Sequence, residues 1–313
     1  MRVMIKNLAK YMYHYSGMGK CMFRTLRNSK GPVLLTIVYH RICRSMDSYE
    51  YMAMPADVFE SHVKVLKDNF KIVTVAEGLD LVCKEKRKGI YVSINFDDGY
   101  MDNYTHAFPI LKKYGAPANI FLTTDFIGQE HLFWWDEVFQ TIHRSGNSLR
   151  DAYRAIRIND SLMDRKGSEI EDFVDNLRKQ APAGKKINPS LMLGWNEIKE
   201  MTASGISFGS HTKSHGNMRL MEDAKMRSEL MESKLCLEEK LGTKEIGFCY
   251  PFGIYDDRVR GIVKDAGFNY ARTCVKGSNY KNIDRFSLKS IDVSFLLDKA
   301  LFTSLLSFYS LMR

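Results

Sequence analysis

Two adjacent carboxylates, Asp97 and Asp98, end the apolar run GIYVSINF and are followed by Gly99. Burying charge at the rim of a core strand is costly unless a cation or a set of donors meets it. A second grouping, GSHTKSHGN (209–217), sets His211 and His215 four residues apart just past another β-prone run. In a helical turn or a tight loop this spacing brings both rings to one side, within reach of one metal ion. One carboxylate with two imidazoles makes a facial set of three ligands and leaves positions open for water or substrate. Two other readings of Asp97 and Asp98 are a solvated Asp-Gly turn and a Mg²⁺ site for phosphoryl transfer. Neither calls for a later H-x-x-x-H.

These groups must be held by elements. Short β-rich runs occur at 33–40, 71–75, 89–96, 118–124, 205–210, 245–252, 270–273 and 287–293, with helical patterns such as PADVFESHVKVLKDNF between them. Such alternation predicts parallel strands with crossover helices, in a barrel or an open sheet. Chemistry in these folds gathers at the C-terminal strand ends, which here carry His40, Asp97, Asp98, His211, His215 and the PFG after Tyr250. Asp97 and Asp98 would point to opposite faces of a continuing strand; Gly99 lets the chain turn so that both reach one pocket. Residues 129–200 interrupt the rhythm with a charged, mostly helical stretch, read as an insertion above one face. Its Trp134 and Trp135 could stack on a sugar ring, although paired aromatics in a helix are more often core. Cys249 has no evident base and is not expected to act as a nucleophile.

The chain has 313 residues, 45% hydrophobic and 27% charged, values of a globular protein with a sizeable core. Six scattered cysteines without CxxC spacing argue against a zinc finger or disulfide framework and suit a reducing compartment. The net charge of +9 is concentrated in residues 1–30, which hold seven bases and no acid. Basic residues interleaved with Met, Tyr, Leu and Phe fit an interfacial helix on an anionic membrane as well as a helix packed on the barrel. Lys6 and Lys10 break the apolar stretch that a signal peptide needs, so a cytoplasmic protein is expected, free or peripheral at the inner face of the cytoplasmic membrane. No nucleic-acid signature accompanies the arm. The segment 296–313 reads as an apolar helix too short to span a bilayer.

FDDG (96–99), HTKSH (211–215) and YPFG (250–253) occur in that order across residues 33–293. In this the sequence resembles the polysaccharide deacetylases of the NodB-homology type, carbohydrate esterase family 4. The resemblance implies a distorted (β/α) barrel over 31–295, with the helical insertion at about 129–200, and metal-dependent removal of N-acetyl groups from a glycan. It implies Asp98, His211 and His215 as ligands of a divalent metal, usually Zn²⁺, and Asp97 as general base. Metal-bound water is acidified from pKa ~15.7 to about 7, so a carboxylate can take its proton. The backbone N–H of Phe252 would meet the developing oxyanion, and Tyr250 flanks that position as a candidate substrate contact. The third motif of better-known members has an arginine where this chain has Cys249; Arg285, before the last strand, is the proposed substitute. Their Leu-x-His motif, source of the general acid, has no counterpart, which leaves His40 in VYHRI (38–42) as acid, substrate contact or orienter. A YHxI signature resembles the branch acting on exopolysaccharide and cell-surface glycans. With the basic arm, this favours a cell-surface polysaccharide or a lipid-linked sugar precursor as substrate. The alternative is a catalytically silent glycan-binding protein that keeps the metal site.

Overall fold

The computed structural model describes residues 32–44, 51–84, 88–146, 149–180, 187–293 and 299–311. The basic arm at 1–30, and with it the expected membrane contact, lies outside the described residues. Seven parallel strands close a ring: β1 (Val33–Tyr39), β5 (Ile90–Phe96), β6 (Ala118–Leu122), β9 (Ile206–Ser210), β10 (Phe248–Cys249), β11 (Ala271–Lys276) and β12 (Leu288–Asp292), which pairs again with β1. The expected distorted barrel is therefore present, closed along β1 and β5 by a register running from Val33↔Ile90 to Tyr39↔Phe96. A short β4 (Lys71–Ile72) shares one edge of β5 with β6, taking Tyr91 and Val92 while β6 takes Ile94 to Phe96. Two small ribbons lie outside the ring, β2 (Arg41–Cys43) with β3 (Ala53–Pro55), and β7 (Glu130–His131) with β8 (Ser190–Leu191).

All seven residues of β5 are buried, as a strand covered on both faces requires. Ile90, Val92, Ile94 and Phe96 join a core with Phe59, Val63 and Leu66 of α1 (Ala56–Asn69) and with Phe108 and Leu111 of α3 (Phe108–Tyr114). By the two-residue period, Tyr91, Ser93, Asn95 and Asp97 face the ring interior. The expected strand at 71–75 stops at Ile72, because Thr74 caps α2 (Val75–Cys83) in a capping box with Glu77. Three β-branched residues masked a helix start that the T-x-x-E spacing does encode.

The insertion contains α4 (Trp134–Gly146), α5 (Leu149–Leu162) and α6 (Gly167–Gln180). It is fastened to the DDG turn: the Met101 N–H donates to Leu191 O, and the Leu193 N–H to Gly99 O, each at 2.9 Å. It ends there, earlier than the expected residue 200. The next helix, α7 (Trp195–Ala203), buries Ile198 and Met201 in the barrel core before β9. After β9 come α8 (Asp223–Leu241) and α9 (Asp257–Asp265), and α10 (Lys299–Leu311) closes the described chain. Phe302, Leu306 and Tyr309 of α10 are buried in the main core, so the apolar C-terminal segment packs on the barrel. Among the described residues no helix is long and apolar enough to cross a membrane.

Candidate active site

The DDG turn begins one residue before the glycine. Asp98 itself takes φ 72° and Gly99 φ 86°, and a Cβ on Gly99 would meet Leu122 Cδ2 at 2.7 Å. Side chains rarely hold positive φ, at a cost of order 1 kcal/mol or more. Here Asp98, Thr212, His215 and Phe252 all do. The turn leaves both carboxylates buried on one site, as the spacing required.

The imidazoles come from a loop, not a helix. His211 follows β9 and its N–H donates to Leu122 O at 2.8 Å. Buried Glu229 of α8 clamps the loop, accepting from the Lys213 N–H at 3.1 Å, the Ser214 N–H at 2.9 Å and the Ser214 hydroxyl at 2.7 Å. The His215 N–H donates to Thr212 Oγ1 at 3.0 Å. His211 Nδ1 donates to the carbonyl of Cys249 at 2.8 Å, which fixes the tautomer and turns the Nε2 lone pair toward the site. Asp98 Oδ1 then lies 3.5 Å from His211 Nε2 and 3.2 Å from His215 Nε2, and the two nitrogens are 3.1 Å apart.

These three side chains fit a divalent cation. Asp98 Oδ1 is buried with no hydrogen bond made to it, yet it faces two imidazole nitrogens. Burial pushes the Asp98 carboxyl up, but His215 beside it, with His40 and His211, outweighs this and holds it at about 2. Burial and the neighbouring His215 lower His211 to about 4. An ionised carboxylate and neutral imidazole are the forms that bind metal, and one O with two N donors suits Zn²⁺. Asp97 and Cys249 also lie within reach of His211. Burial, however, keeps the Cys249 thiol protonated, well above its usual range.

Asp97 is held by a residue the sequence reading missed. Arg272 of β11 is fully buried, and its Nη2 donates to both Asp97 oxygens. Its Nη1 donates to Ser290 Oγ of β12 at 3.2 Å, and its guanidinium lies 5.2 Å from the Phe121 ring of β6, so it crosses the ring interior. Burial alone would raise the Asp97 carboxyl, but Arg272, then His211 and His40, bring it below the ordinary range. Arg285, the expected substitute, is a half-buried residue turned away from the site and paired with Asp80 at 3.5 Å. The register explains the difference. Cys249 and Arg272 are direct cross-strand partners, and the small thiol leaves room for Arg272 Nη2 at 2.8 Å.

His40 reaches the site, with Nε2 3.8 Å from Asp97 Oδ2 and a side chain 17% exposed. Tyr250 does not line it. Its ring is buried against Phe248 and Tyr255, and its hydroxyl donates to Phe286 O at 2.9 Å, so the expected substrate contact is a core residue. Phe252, at φ 57°, sets its ring edge-on to His215 with centroids 4.6 Å apart. Gly253 behind it must be glycine, since φ is 68° and a Cβ would lie 2.3 Å from that of Cys274. Trp135 is buried, stacked on Phe133 at 4.3 Å and 4.7 Å from the His215 ring. With Trp134, Phe252, His131 and His215 it lines a cavity of about 930 Å³ that runs on between α6 and the 214–222 segment.

A closed parallel ring with a buried Asp–Asp–His–His cluster at its C-terminal rim is an arrangement suited to a hydrolase. The profile of the polysaccharide deacetylase family matches residues 84–271, and the chain belongs to that family. YxkH of Bacillus subtilis, provisionally named a polysaccharide deacetylase, is 24% identical over 273 residues, 87% of this chain and 74% of that protein. A poly-β-1,6-N-acetyl-D-glucosamine N-deacetylase of Staphylococcus aureus is 24% identical over 258 residues, 75% of this chain and 70% of that protein. Among solved structures, the Streptococcus pyogenes deacetylase PplD in complex with acetate superposes with TM-score 0.62 at 19% identity, covering 88% of this chain and 98% of that one. IcaB from Ammonifex degensii gives 0.61 at 20%, covering 90% and 99%.

Proposed function

We propose that the protein removes N-acetyl groups from an N-acetylhexosamine glycan, with Asp98, His211 and His215 holding Zn²⁺ and Asp97 acting as general base. The observation that carries this reading is the Arg272–Asp97 pair: a buried arginine fixes a carboxylate beside the three ligands. A protein that only bound glycans would have no use for a charged base locked in place, which argues against the silent-binder alternative.

When bound, the cation would supply acidified water and a Lewis acid for the amide oxygen. The chain supplies the rest. Asp97, held anionic by Arg272 through pH 7, takes a proton from the attacking water. The Phe252 N–H donates to the oxyanion as it forms. His40, 3.8 Å from Asp97 at the open side of the site, gives a proton to the departing amine. Trp134 and Phe252 flank the sugar. The S. aureus relative's named substrate supports a polymer of N-acetylglucosamine as the class to test first. The basic segment 1–30 supports a lipid-linked or cell-surface precursor, reached at the inner face of the cytoplasmic membrane by contact with anionic lipid.

The test is acetate release from N-acetylglucosamine oligomers by the zinc-loaded protein, with Asp97→Asn as control. Activity lost in the control at unchanged zinc content is the expected result. No release above the control on any acetylated glycan would leave the binding-protein reading. Removal of residues 1–30 is expected to abolish sedimentation with anionic vesicles; unchanged sedimentation would end the membrane reading.

A further inference from the structure

We propose that Tyr100 is the centre of a buried clasp that sets the aromatic wall of the cleft against the catalytic rim, and so fixes the affinity for glycan. The inference rests on the deacetylase reading above. It accounts for parts of DDGYMDN, YHRI and FWWDE that the chemistry leaves unused.

Tyr100 is 1% exposed and follows the DDG turn directly. Its hydroxyl donates to Asp136 Oδ2 at 2.8 Å and accepts from Trp135 Nε1 at 3.1 Å, so one oxygen holds two consecutive residues of α4. The Arg41 guanidinium lies over the Tyr100 ring, 4.3 Å from its centroid, and Arg41 Nη1 is 4.0 Å from Asp136 Oδ2. Arg41 also donates through Nε to Asp102 Oδ2 at 2.8 Å and through Nη1 to Ser190 Oγ at 3.1 Å, at the insertion's return strand. Asp102 accepts from the Ile42 N–H at 3.0 Å, and Asn103 Nδ2 donates to His40 O at 2.8 Å. One connected set of buried and half-buried groups therefore joins the strand end that bears His40, the turn that bears Asp97 and Asp98, and the helix that bears Trp135. At the far side Trp135 meets the rings of His215, Phe133, Trp134 and Phe252. Ring contacts are permissive about angle; the hydrogen bonds to Tyr100 decide where the indole stands.

The ligands have their own support, with His211 on Cys249 O and the loop on Glu229. Loosening the clasp should therefore act on substrate binding and leave the metal in place. Acetate release by the zinc-loaded full chain on an N-acetylglucosamine oligomer gives kcat and KM. Binding of the same oligomer to the Asp97→Asn protein by calorimetry gives Kd without turnover. Tyr100→Phe is expected to raise KM and Kd about tenfold, with kcat within about twofold and zinc content unchanged. Asp136→Asn should do the same, and the double variant should be no worse than either single one, because both open one clasp. Unchanged KM and Kd, additive losses, or loss of zinc would overturn the inference. A wild-type protein that binds oligomer and responds to Tyr100→Phe but releases no acetate would overturn the deacetylase reading alone. Absence of oligomer binding would remove both.

Discussion

Arg272 and Asp97 form an ion pair with side chains 0% and 3% exposed, and such a pair is judged by what remains when one member is removed. An uncompensated charge in the interior costs roughly 3–5 kcal/mol. Arg272→Met is expected to lower the unfolding free energy by about that amount and kcat by about 10²-fold or more. Adding Asp97→Asn should restore most of the stability and none of the activity. Urea denaturation with acetate release on the four variants checks both; a double variant as unstable as Arg272→Met would show that the pair is not the cause. A milder titration belongs to His131, stacked on Phe126 at 3.4 Å, where burial and then the neighbouring His215 lower its pKa to about 4. Its neutral form is the one the fold accommodates. Its share of stability is complete above the ordinary value of about 6.5 and lost as pH falls from there toward 4. The urea midpoint of His131→Phe should fall less than that of wild type between pH 7 and pH 4.5. The gathering of Asp97, Asp98, His211 and His215 was legible at this scale because each pair follows a single strand end. Arg272 was not, since its partner Cys249 is 23 positions earlier and meets it only through strand register. Tyr250 misled for the same reason, because only the structure shows its hydroxyl spent on Phe286.

At the scale of elements, the strands were readable as β-branched runs, and each expected strand exists, although 71–75 and 245–252 each shrink to two residues. What the sequence could not show is support across elements. Glu229 sits mid-helix in α8 among many charged neighbours, and nothing in its local pattern marks it apart from Glu232 or Glu238. Yet it receives two backbone N–H groups and a hydroxyl from the loop between the two histidines. A support of this kind usually changes metal affinity about 10–100-fold. Glu229→Gln keeps the shape, offers an N–H₂ where an acceptor is needed, and should weaken zinc binding by about that factor. Competition against a chelator gives the affinity. Activity should return in excess zinc; a variant that stayed inactive when fully loaded would place Glu229 in the chemistry and not in support of the loop.

Across the whole molecule, the ring closes by pairing β1 with both β5 and β12, so the His40 strand and the Asp97 strand are direct neighbours. The sequence implied parallel strands but could not distinguish an open sheet from a ring, because closure is a pairing between segments far apart in the chain. The family resemblance supplied that choice. It was silent on α10, which covers α1 and β1 from outside. Phe302 is 0% exposed and stacks on His62 at 3.8 Å, while His62 Nδ1 lies 3.3 Å from the Tyr39 hydroxyl at the end of β1. Truncating a buried phenylalanine typically costs about 3–5 kcal/mol, part lost transfer energy and part cavity. For a chain of this length, each kcal/mol lowers Tm by about 2–4 °C. Phe302→Ala should therefore melt roughly 6–20 °C lower. Its zinc content and kcat at 25 °C should stay those of wild type, because α10 contributes no atom to the rim where Asp98, His211 and His215 meet. Calorimetry with metal analysis separates the cases. A Tm within about 2 °C of wild type would mean that α10 is only loosely held on the barrel, contrary to its burial.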